Sequence, residues 1–227
     1  MSKKFVAIGD IHGCFLTVKK LLNDILHQHK DRKFVFVGDY IDRGPDAKKT
    51  IDYLIDFSKS NSCVFLRGNH EQMLLDFQEG VSSIGNWQRN GGKQTYLNYM
   101  NEKKKFELPY QHFHFFRNTR LFFDSNEFFF VHAGLDPDCS IQESISNEDF
   151  HNDFMWTREH LYESNNWEKT VVFGHTPVSE PINKNRMIGI DTGCVYKHLP
   201  DLGRLTAVLL PEKEFIYQKC IDEPKPY

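Results

Sequence analysis

Residues 34–44 read FVFVGDYIDRG, a short apolar strand that breaks at a glycine into a polar cluster. The same pattern recurs in four more segments: Gly9–Gly13, Gly68–Glu71, His132–Gly134 and Gly174–Thr176. In all five, a polar side chain falls at the end of a predicted strand or within one residue of it. Ligand sites in open α/β sheets lie beyond the carboxyl ends of the strands. We therefore expect these distant segments to converge at one rim of a sheet.

The first third of the chain alternates strands with helices. Apolar runs at 5–8, 34–37 and 64–66 predict strands. Between the first two, Phe15, Val18, Leu21, Leu22 and Ile25 recur at helical spacing and predict an amphipathic helix over 15–28. A helix carrying Ile51, Leu54 and Ile55 follows the 39–45 loop, and another starts at 71–77. Strand–helix–strand units of this kind give parallel strands with right-handed crossovers.

The middle of the chain, residues 80–118, is less regular because glycines and Pro109 interrupt it. We interpret it as a possible lid or substrate-facing insert. The second half favours strands, with Asp124–Asn126 as a hairpin turn. The predicted strands are 120–124, 127–131, 170–173, 186–190 and 205–210. The chain is thus expected to form a single catalytic domain, 1–227, of the α/β (α+β) class, with two mixed β-sheets packed as a sandwich and flanked by helices.

Composition excludes several classes of protein. The 227 residues are 40% hydrophobic and 26% charged, with a formal net charge of −3 and no basic stripe, so nucleic acid is not an expected partner. No apolar stretch approaches the ~18 residues of a membrane span, and the run 5–8 is too short for a signal-peptide core. The five cysteines are scattered without a C-x-x-C pair, which disfavours a disulfide framework and favours the cytoplasm. For Cys14, a small apolar packing role is the favoured interpretation.

With its five polar clusters in this order, the chain resembles the phosphoprotein phosphatase branch of the calcineurin-like metallophosphoesterases, in its compact bacterial and phage form. The resemblance runs from about Phe5 to Leu210, nearly the whole chain. It implies a metal-dependent phosphomonoester hydrolase in which water activated by two metal ions is the direct nucleophile. Any one motif alone is compatible with a turn, a helix cap or a buried histidine. The presence of all five motifs in this order favours a functional site over these structural roles.

The resemblance also implies which residues bind the metals. The first ion is expected on Asp10, His12 and Asp39, and the second on bridging Asp39 together with Asn69, His132 and His175. These donors are two carboxylates, three imidazoles and one amide, without a thiolate. Such a set suits Mn²⁺, Fe or Zn²⁺ better than Ca²⁺ and does not favour Mg²⁺. We expect two divalent ions, with Mn²⁺ the first choice.

Two divalent ions and the carboxylates of Asp10 and Asp39 leave about two positive charges, which suits a phosphate monoester dianion. The resemblance implies His70 as the general acid for the leaving alkoxide, with Asp42 orienting it. It implies Arg43 and Arg158 as the phosphate-binding residues, the second through the short motif Trp156-Thr157-Arg158.

Other polar residues are expected to be structural or lie outside the site. Arg67 is interpreted as structural, and Lys103–Lys105 as a solvated face. Asp191–Gly193 resembles a late family segment near the site, and residues 197–202 are an insertion relative to compact relatives. Seven histidines without a matching motif are expected at the surface or in packing: His27, His29, His112, His114, His151, His160 and His198.

The leading functional hypothesis is a serine/threonine protein phosphatase acting on a phosphoprotein or phosphopeptide. The alternative is a symmetrical bis(5'-nucleosyl)-tetraphosphate (Ap4A) hydrolase, which would share the Cys after the first motif. Such enzymes usually carry Asp after Asn-His, so Glu71 tilts the choice to the phosphatase. A nuclease or RNA-end pyrophosphatase is disfavoured by the absence of a basic stripe. A non-catalytic regulatory module is disfavoured because His70, Asp42 and both arginines are present.

Overall fold

The computed structural model describes residues 3–184 and 186–224, so the extreme ends of the expected 1–227 domain lie outside it. Ten strands in the described residues form two five-stranded sheets. Their bounds, in chain order, are β1 (Phe5–Ile8), β2 (Lys33–Phe36), β3 (Cys63–Phe65), β4 (Phe122–Asp124), β5 (Phe128–Val131), β6 (Thr170–Phe173), β7 (Ile182–Lys184), β8 (Met187–Gly189), β9 (Arg204–Leu210) and β10 (Glu214–Lys219).

Both sheets are mixed. The first has the order β10-β9-β1-β2-β3, in which β1, β2 and β3 are parallel and β9 is antiparallel to both of its neighbours, β1 and β10. The second has the order β4-β5-β6-β8-β7, with parallel β5, β6 and β8 between two antiparallel edge strands. The parallel centre of each sheet brings the carboxyl ends of its strands to one edge, which is where the polar clusters lie.

Helices cover the outer faces, and none in the described residues is both long and apolar enough to cross a membrane. The part of the chain that the structure describes contains eight α-helices: α1 (Phe15–His29), α2 (Ala47–Ser60), α3 (Asn69–Gln78), α4 (Ile84–Trp87), α5 (Lys93–Asn98), α6 (Tyr110–Arg117), α7 (Ile141–Ser146) and α8 (Asp153–Trp156). A π-helical segment, Gln88–Gly92, joins α4 to α5. Short 3₁₀ helices lie at Glu148–Asn152, Glu159–Leu161 and Cys194–Tyr196.

Alternation along β1 explains the sandwich. Phe5 and Ala7 are buried in the layer between the sheets, while Val6 and Ile8 are buried in the cluster that includes the apolar faces of α1 and α2. Strands covered on both faces read as continuous apolar runs, as these do. Each fully buried large apolar side chain contributes about 1.5–3 kcal/mol relative to exposure. The predicted fold class, two mixed sheets with flanking helices, is confirmed.

Two strands were not predicted, and both lie at sheet edges. β7 carries Asn183 and Lys184, and β10 alternates exposed with partly buried residues, so neither shows a sustained apolar run. The predicted strand 120–124 begins only at Phe122, because Arg120 instead forms a bridge with Leu66 beside β3.

The segment 80–118 is largely helical, and part of it is buried. Trp87, Gly91 and Thr95 are buried and contact the loop after β2. Its interpretation as a lid stays a prediction, but residues 87–95 pack under the Asp42–Arg43 loop.

Candidate active site

Strained backbone marks the site loops. His12, Asp39, Asp42, Arg43 and His175 all have positive φ, between 47° and 70°. Left-handed backbone at a non-glycine residue costs of order 1–3 kcal/mol, and it persists only where the surroundings fix it. Such strain clusters at active sites, so these loops are the first structural sign of one.

The buried Glu71 carboxylate joins the Asp39 loop to the Gly68–Glu71 segment. It accepts hydrogen bonds from the backbone N–H groups of Asp39 (2.8 Å), Tyr40 (2.9 Å) and Gly68 (3.0 Å). A Cβ on Gly68 would lie 2.1 Å from an Asp39 carboxylate oxygen, so this close approach requires glycine. Burial, followed by the charge of Asp39, raises the pKa of Glu71 to about 8. Because these hydrogen bonds direct the carboxylate to the backbone, Glu71 does not face a substrate. It therefore gives no structural reason to prefer one substrate over another.

Asp39 lies at the centre of the site with its two oxygens turned to different histidines. Its Oδ1 is 3.4 Å from His132 Nε2, and its Oδ2 is 3.6 Å from His12 Nε2 and 3.8 Å from His70 Nε2. Burial raises its pKa, but the surrounding His132, His70, His12 and Arg43 outweigh burial and hold it below the usual range. An ionised carboxylate with divergent oxygens is the form that bridges two cations.

Backbone carbonyls orient two of the predicted ligand histidines. His12 Nδ1 donates to Ile41 O at 2.8 Å, and His132 Nδ1 donates to Val37 O at 2.9 Å. Since a carbonyl only accepts, each Nε2 is left as the lone-pair atom on the site side. Burial is the largest cause that lowers the pKa values of both residues, so the imidazoles are neutral, the form that binds metals.

His175 and Asn69 lie next to His132, on the Oδ1 side of Asp39. His175 Nδ1 lies 3.2 Å from His132 Nε2, and Asn69 Oδ1 lies 3.0 Å from the same nitrogen. Burial, with the neighbouring His132 imidazole next, lowers the pKa of His175 to about 2. Its Nε2 is buried without a hydrogen-bond partner among the described residues.

Two further buried carboxylates lie beside the site, Asp10 after β1 and Asp191 after β8. Both Asp10 oxygens accept from the His175 backbone N–H, at 3.0 and 3.2 Å. Burial, then the charges of Asp191 and Asp39, raises the pKa of Asp10 well above its usual value. Burial likewise raises the pKa of Asp191 to about 7. Three buried carboxylates beside neutral imidazoles leave a deficit of positive charge that cations would fill.

The donor set fits two divalent ions. Ligand atoms of His12, Asp39 and His70 lie within 4.8 Å of one another, as do those of Asp39, His132 and His175, with Asp39 common to both groups. Among the described residues Asp10 belongs to neither group, and His70, predicted to be a proton donor, belongs to the first. Imidazole and carboxylate donors without sulfur suit Mn²⁺, Fe or Zn²⁺.

His70 and Asp42 form a buried pair. His70 Nδ1 lies 2.7 Å from Asp42 Oδ2, and the same oxygen accepts from Trp87 Nε1 at 2.8 Å. The Asp42 backbone N–H donates to Thr95 Oγ1 at 2.8 Å. Sequence reasoning missed Trp87 and Thr95, because nothing in their local pattern places them against a loop about 45–53 residues earlier.

The two predicted arginines differ in environment. Arg43 is partly buried, donates to His12 Nε2 at 2.6 Å, and lies 5.6 Å from the centroid of the Tyr196 ring. Arg158 is exposed, and it lies two residues after Trp156, whose ring is 6.1 Å from the His175 ring. Arg67 donates to Thr119 Oγ1 and to carbonyls of residues 117 and 119, a structural contact as expected.

Of the seven histidines expected at the surface or in packing, two are buried. His112 links Tyr99 OH and Asp52 through its two nitrogens. His160 packs edge-on to Phe173 at 4.6 Å and fills the space where a side chain at position 134 would be. Neither lies in the groups around Asp39.

The fold and this donor set define a metal-dependent phosphoesterase. The family model for calcineurin-like phosphoesterases matches residues 3–209, and the chain belongs to that family.

Curated relatives are named bis(5'-nucleosyl)-tetraphosphatase PrpE [asymmetrical]. The protein of Anoxybacillus flavithermus is 33% identical over 92% of this chain and 91% of its own. The one of Oceanobacillus iheyensis is 29% identical over 94% and 91%. The sequence analysis expected the phosphoprotein phosphatase branch of the family, but these relatives are not named as protein phosphatases.

Solved structures agree on the fold. A putative diadenosine tetraphosphatase superposes with a TM-score of 0.67 at 20% identity, covering 96% of this chain and 94% of its own. A cold-active protein-tyrosine phosphatase of a psychrophilic Shewanella gives 0.65 at 18% identity, covering 96% and 81%. A protein serine/threonine phosphatase from Saccharomyces cerevisiae gives 0.58 at 15%, covering 98% and 82%.

Proposed function

We propose that the protein hydrolyses dinucleoside tetraphosphates asymmetrically, releasing a nucleoside monophosphate and a nucleoside triphosphate. The observation that carries this proposal is the relationship over more than nine tenths of both chains to proteins named for that activity. It differs from the leading hypothesis drawn from the sequence, a serine/threonine protein phosphatase, and from the symmetrical alternative. The family-level activity, metal-dependent phosphoester hydrolysis, is common to all three.

The charge of the site supports a polyanionic substrate. Two divalent ions with Asp10 and Asp39 leave about two positive charges. Arg43 and Arg158 add two more on the same side. A tetraphosphate bridge carries a negative charge on each phosphate, and the positive charge of the bound ions and the two arginines would attract such a polyanion.

Each residue of the site has a proposed role in the reaction. His12, Asp39, Asn69, His132, His175 and Asp10 are the residues proposed to hold the two ions. When bound, two such ions would acidify a water molecule and neutralise charge that develops on the phosphate oxygens. The planar guanidinium of Arg43 would hold two phosphate oxygens at once, with Arg158 at the exposed side. Asp42 fixes the His70 ring through Nδ1, so His70 Nε2 is the atom that would give a proton to the leaving oxygen.

A serine/threonine protein phosphatase is the second candidate, and the His70–Asp42 pair favours it. A serine or threonine alkoxide is a poor leaving group that needs a proton, whereas a terminal phosphate of pKa about 6 leaves with little help. A buried His70–Asp42 pair acting as proton donor would be better matched to the harder leaving group.

The deciding experiment offers the Mn²⁺-loaded protein diadenosine tetraphosphate and a phosphoserine or phosphothreonine peptide in parallel, with products separated chromatographically. AMP plus ATP in equal amounts supports the proposal. ADP alone would mean symmetrical cleavage, and phosphate from the peptide without nucleotide products would establish the second candidate. Chelated protein is the control, since every one of these activities requires the ions.

Further expectations from the sequence remain proposals. Mn²⁺ is proposed as the preferred ion because the donors are oxygen and imidazole nitrogen. The cytoplasm is proposed as the site of action, supported by five cysteines that are all free. Residues 1–227 are proposed to be one catalytic domain, with no nucleic-acid or membrane partner.

A further inference from the structure

Three of the five cysteines meet at one point, outside the groups around Asp39. Cys14 follows the Gly9–Gly13 loop, Cys194 begins the 3₁₀ helix after Asp191–Gly193, and Cys220 follows β10. Their Sγ atoms all lie within 4.8 Å of one another, and the Cys14 and Cys220 sulfurs are 3.9 Å apart. Segments separated by as many as 206 residues thus bring three sulfurs into a triangle.

The size of this triangle fits a metal ion. Two thiolates on the same tetrahedral Zn²⁺, with Zn–S bonds of about 2.3 Å, are about 3.8 Å apart. A disulfide needs about 2.05 Å and uses only two sulfurs. We propose that Cys14, Cys194 and Cys220 form a second metal site, separate from the dinuclear centre, for one thiophilic divalent ion of the Zn²⁺ class.

The cluster has a route to the surface. Cys14 and Cys194 are buried, but Cys220 is partly exposed and lines a surface cavity of about 360 Å³. An ion would enter there, and water in the cavity would supply the fourth ligand, as in Zn²⁺ sites with three protein ligands.

Chemical softness separates the two sites. The groups around Asp39 offer oxygen and imidazole nitrogen, whereas the cysteine cluster offers only sulfur. Thiolates select Zn²⁺ and softer ions, and carboxylate donors select harder ones such as Mn²⁺. Each site would thus hold a different metal in the same molecule.

Binding at the cluster would join three parts of the chain, two of which, at Cys14 and Cys194, follow the site segments Gly9–Gly13 and Asp191–Gly193. Asp222, two residues after Cys220, accepts from the Leu16 and Thr17 backbone N–H groups and from Thr17 Oγ1. The C-terminal end is therefore already fixed to the start of α1, next to Cys14. An ion at the triangle would also bind Cys194, directly after the Asp191–Gly193 segment. Because the ion would bind the folded state and not the unfolded one, it should raise the melting temperature.

The test uses Cd²⁺ as the probe, because its thiolate complexes give an ultraviolet sulfur-to-metal charge-transfer band that the oxygen and nitrogen donors of the other site do not give. Full-length protein is reduced with a thiol-free phosphine, loaded with Mn²⁺ and titrated with Cd²⁺. The wild type should develop a band that saturates at one ion per chain and should melt at a higher temperature.

Cysteine variants test which side chains bind the ion that gives this band. Cys194→Ala and Cys220→Ala should each lose most of it, while Cys63→Ala, a partly buried cysteine in β3 outside the cluster, should keep it in full. Cys220 is partly exposed, so its variant keeps the test valid if Cys194→Ala fails to fold. The proposal is overturned if the reduced wild type shows no band or if both cluster variants keep it.

Discussion

The His70–Asp42 pair gives the sharpest prediction about catalysis. Asp42 is fully buried, and its Oδ2 lies 2.7 Å from His70 Nδ1. Asp42→Asn keeps the shape of the side chain but removes the charge, and a hydrogen bond to a charged group contributes about 1.5–3 kcal/mol. At 1.4 kcal/mol for each factor of ten, kcat on a substrate with a poor leaving group should fall about 10- to 150-fold.

His70→Asn removes the proton donor itself and should lower kcat by about 10²- to 10⁴-fold on an alkyl phosphate or phosphoserine peptide. Because Asp42 acts through His70, the double variant should be no slower than His70→Asn alone. On an aryl phosphate, whose leaving group needs little protonation, both single variants should lose less than about tenfold.

Steady-state kinetics of the three variants on a phosphoserine peptide and an aryl phosphate, with Mn²⁺ saturating, make the measurement. Thermal unfolding in parallel identifies any loss due to misfolding. Equal losses on the two substrates would refute proton donation by His70 and point instead to a role in metal binding, in keeping with its position 3.8 Å from Asp39. Additive losses in the double variant would refute the claim that Asp42 acts through His70.

Three further predictions concern stability and binding. The pKa of His160 is lowered to about 4 by burial, from 6.5 when unfolded, so below pH 6.5 the unfolded state gains a proton that the folded state does not. Stability should therefore fall by about 2 kcal/mol between pH 7.5 and 5 from this group, and urea titrations of His160→Phe should lack that part of the loss. Trp87→Phe removes the indole donor to Asp42 and should cost about 1.5–3 kcal/mol of unfolding free energy, measured by the same titrations; an unchanged midpoint would contradict it. Arg43→Lys loses the planar guanidinium and should raise KM about tenfold or more, whereas Arg158→Lys, at an exposed position, should change KM less. Initial-rate assays measure both; a larger rise in KM for Arg158→Lys than for Arg43→Lys would overturn the assignment of Arg43 as the main phosphate-binding residue.

Physical signals confined to short stretches of sequence predicted most of the framework. Strands such as β1 and β2 are continuous apolar runs because they are covered on both faces, and α1 shows helical spacing because one face is buried. The glycine-bounded ends of the strands placed Asp10, Asp39, Asn69, His132 and His175 at one rim. β7 and β10 were missed because edge strands with exposed residues lack a periodic apolar pattern.

What the tertiary structure alone decided depends on contacts between residues far apart in the chain. The role of Glu71 is one example, because the presence of Glu rather than Asp after Asn69-His70 suggested a substrate choice, while the fold turns the carboxylate to the backbone of Asp39 and Tyr40. Trp87 reaches Asp42 from a helix whose local pattern gives no sign of the site. The cysteine triangle is a third example, because Cys14 and Cys220 become neighbours only through the pairing of β1, β9 and β10. Local sequence encodes which face of an element is buried, and long-range packing determines which side chains then meet.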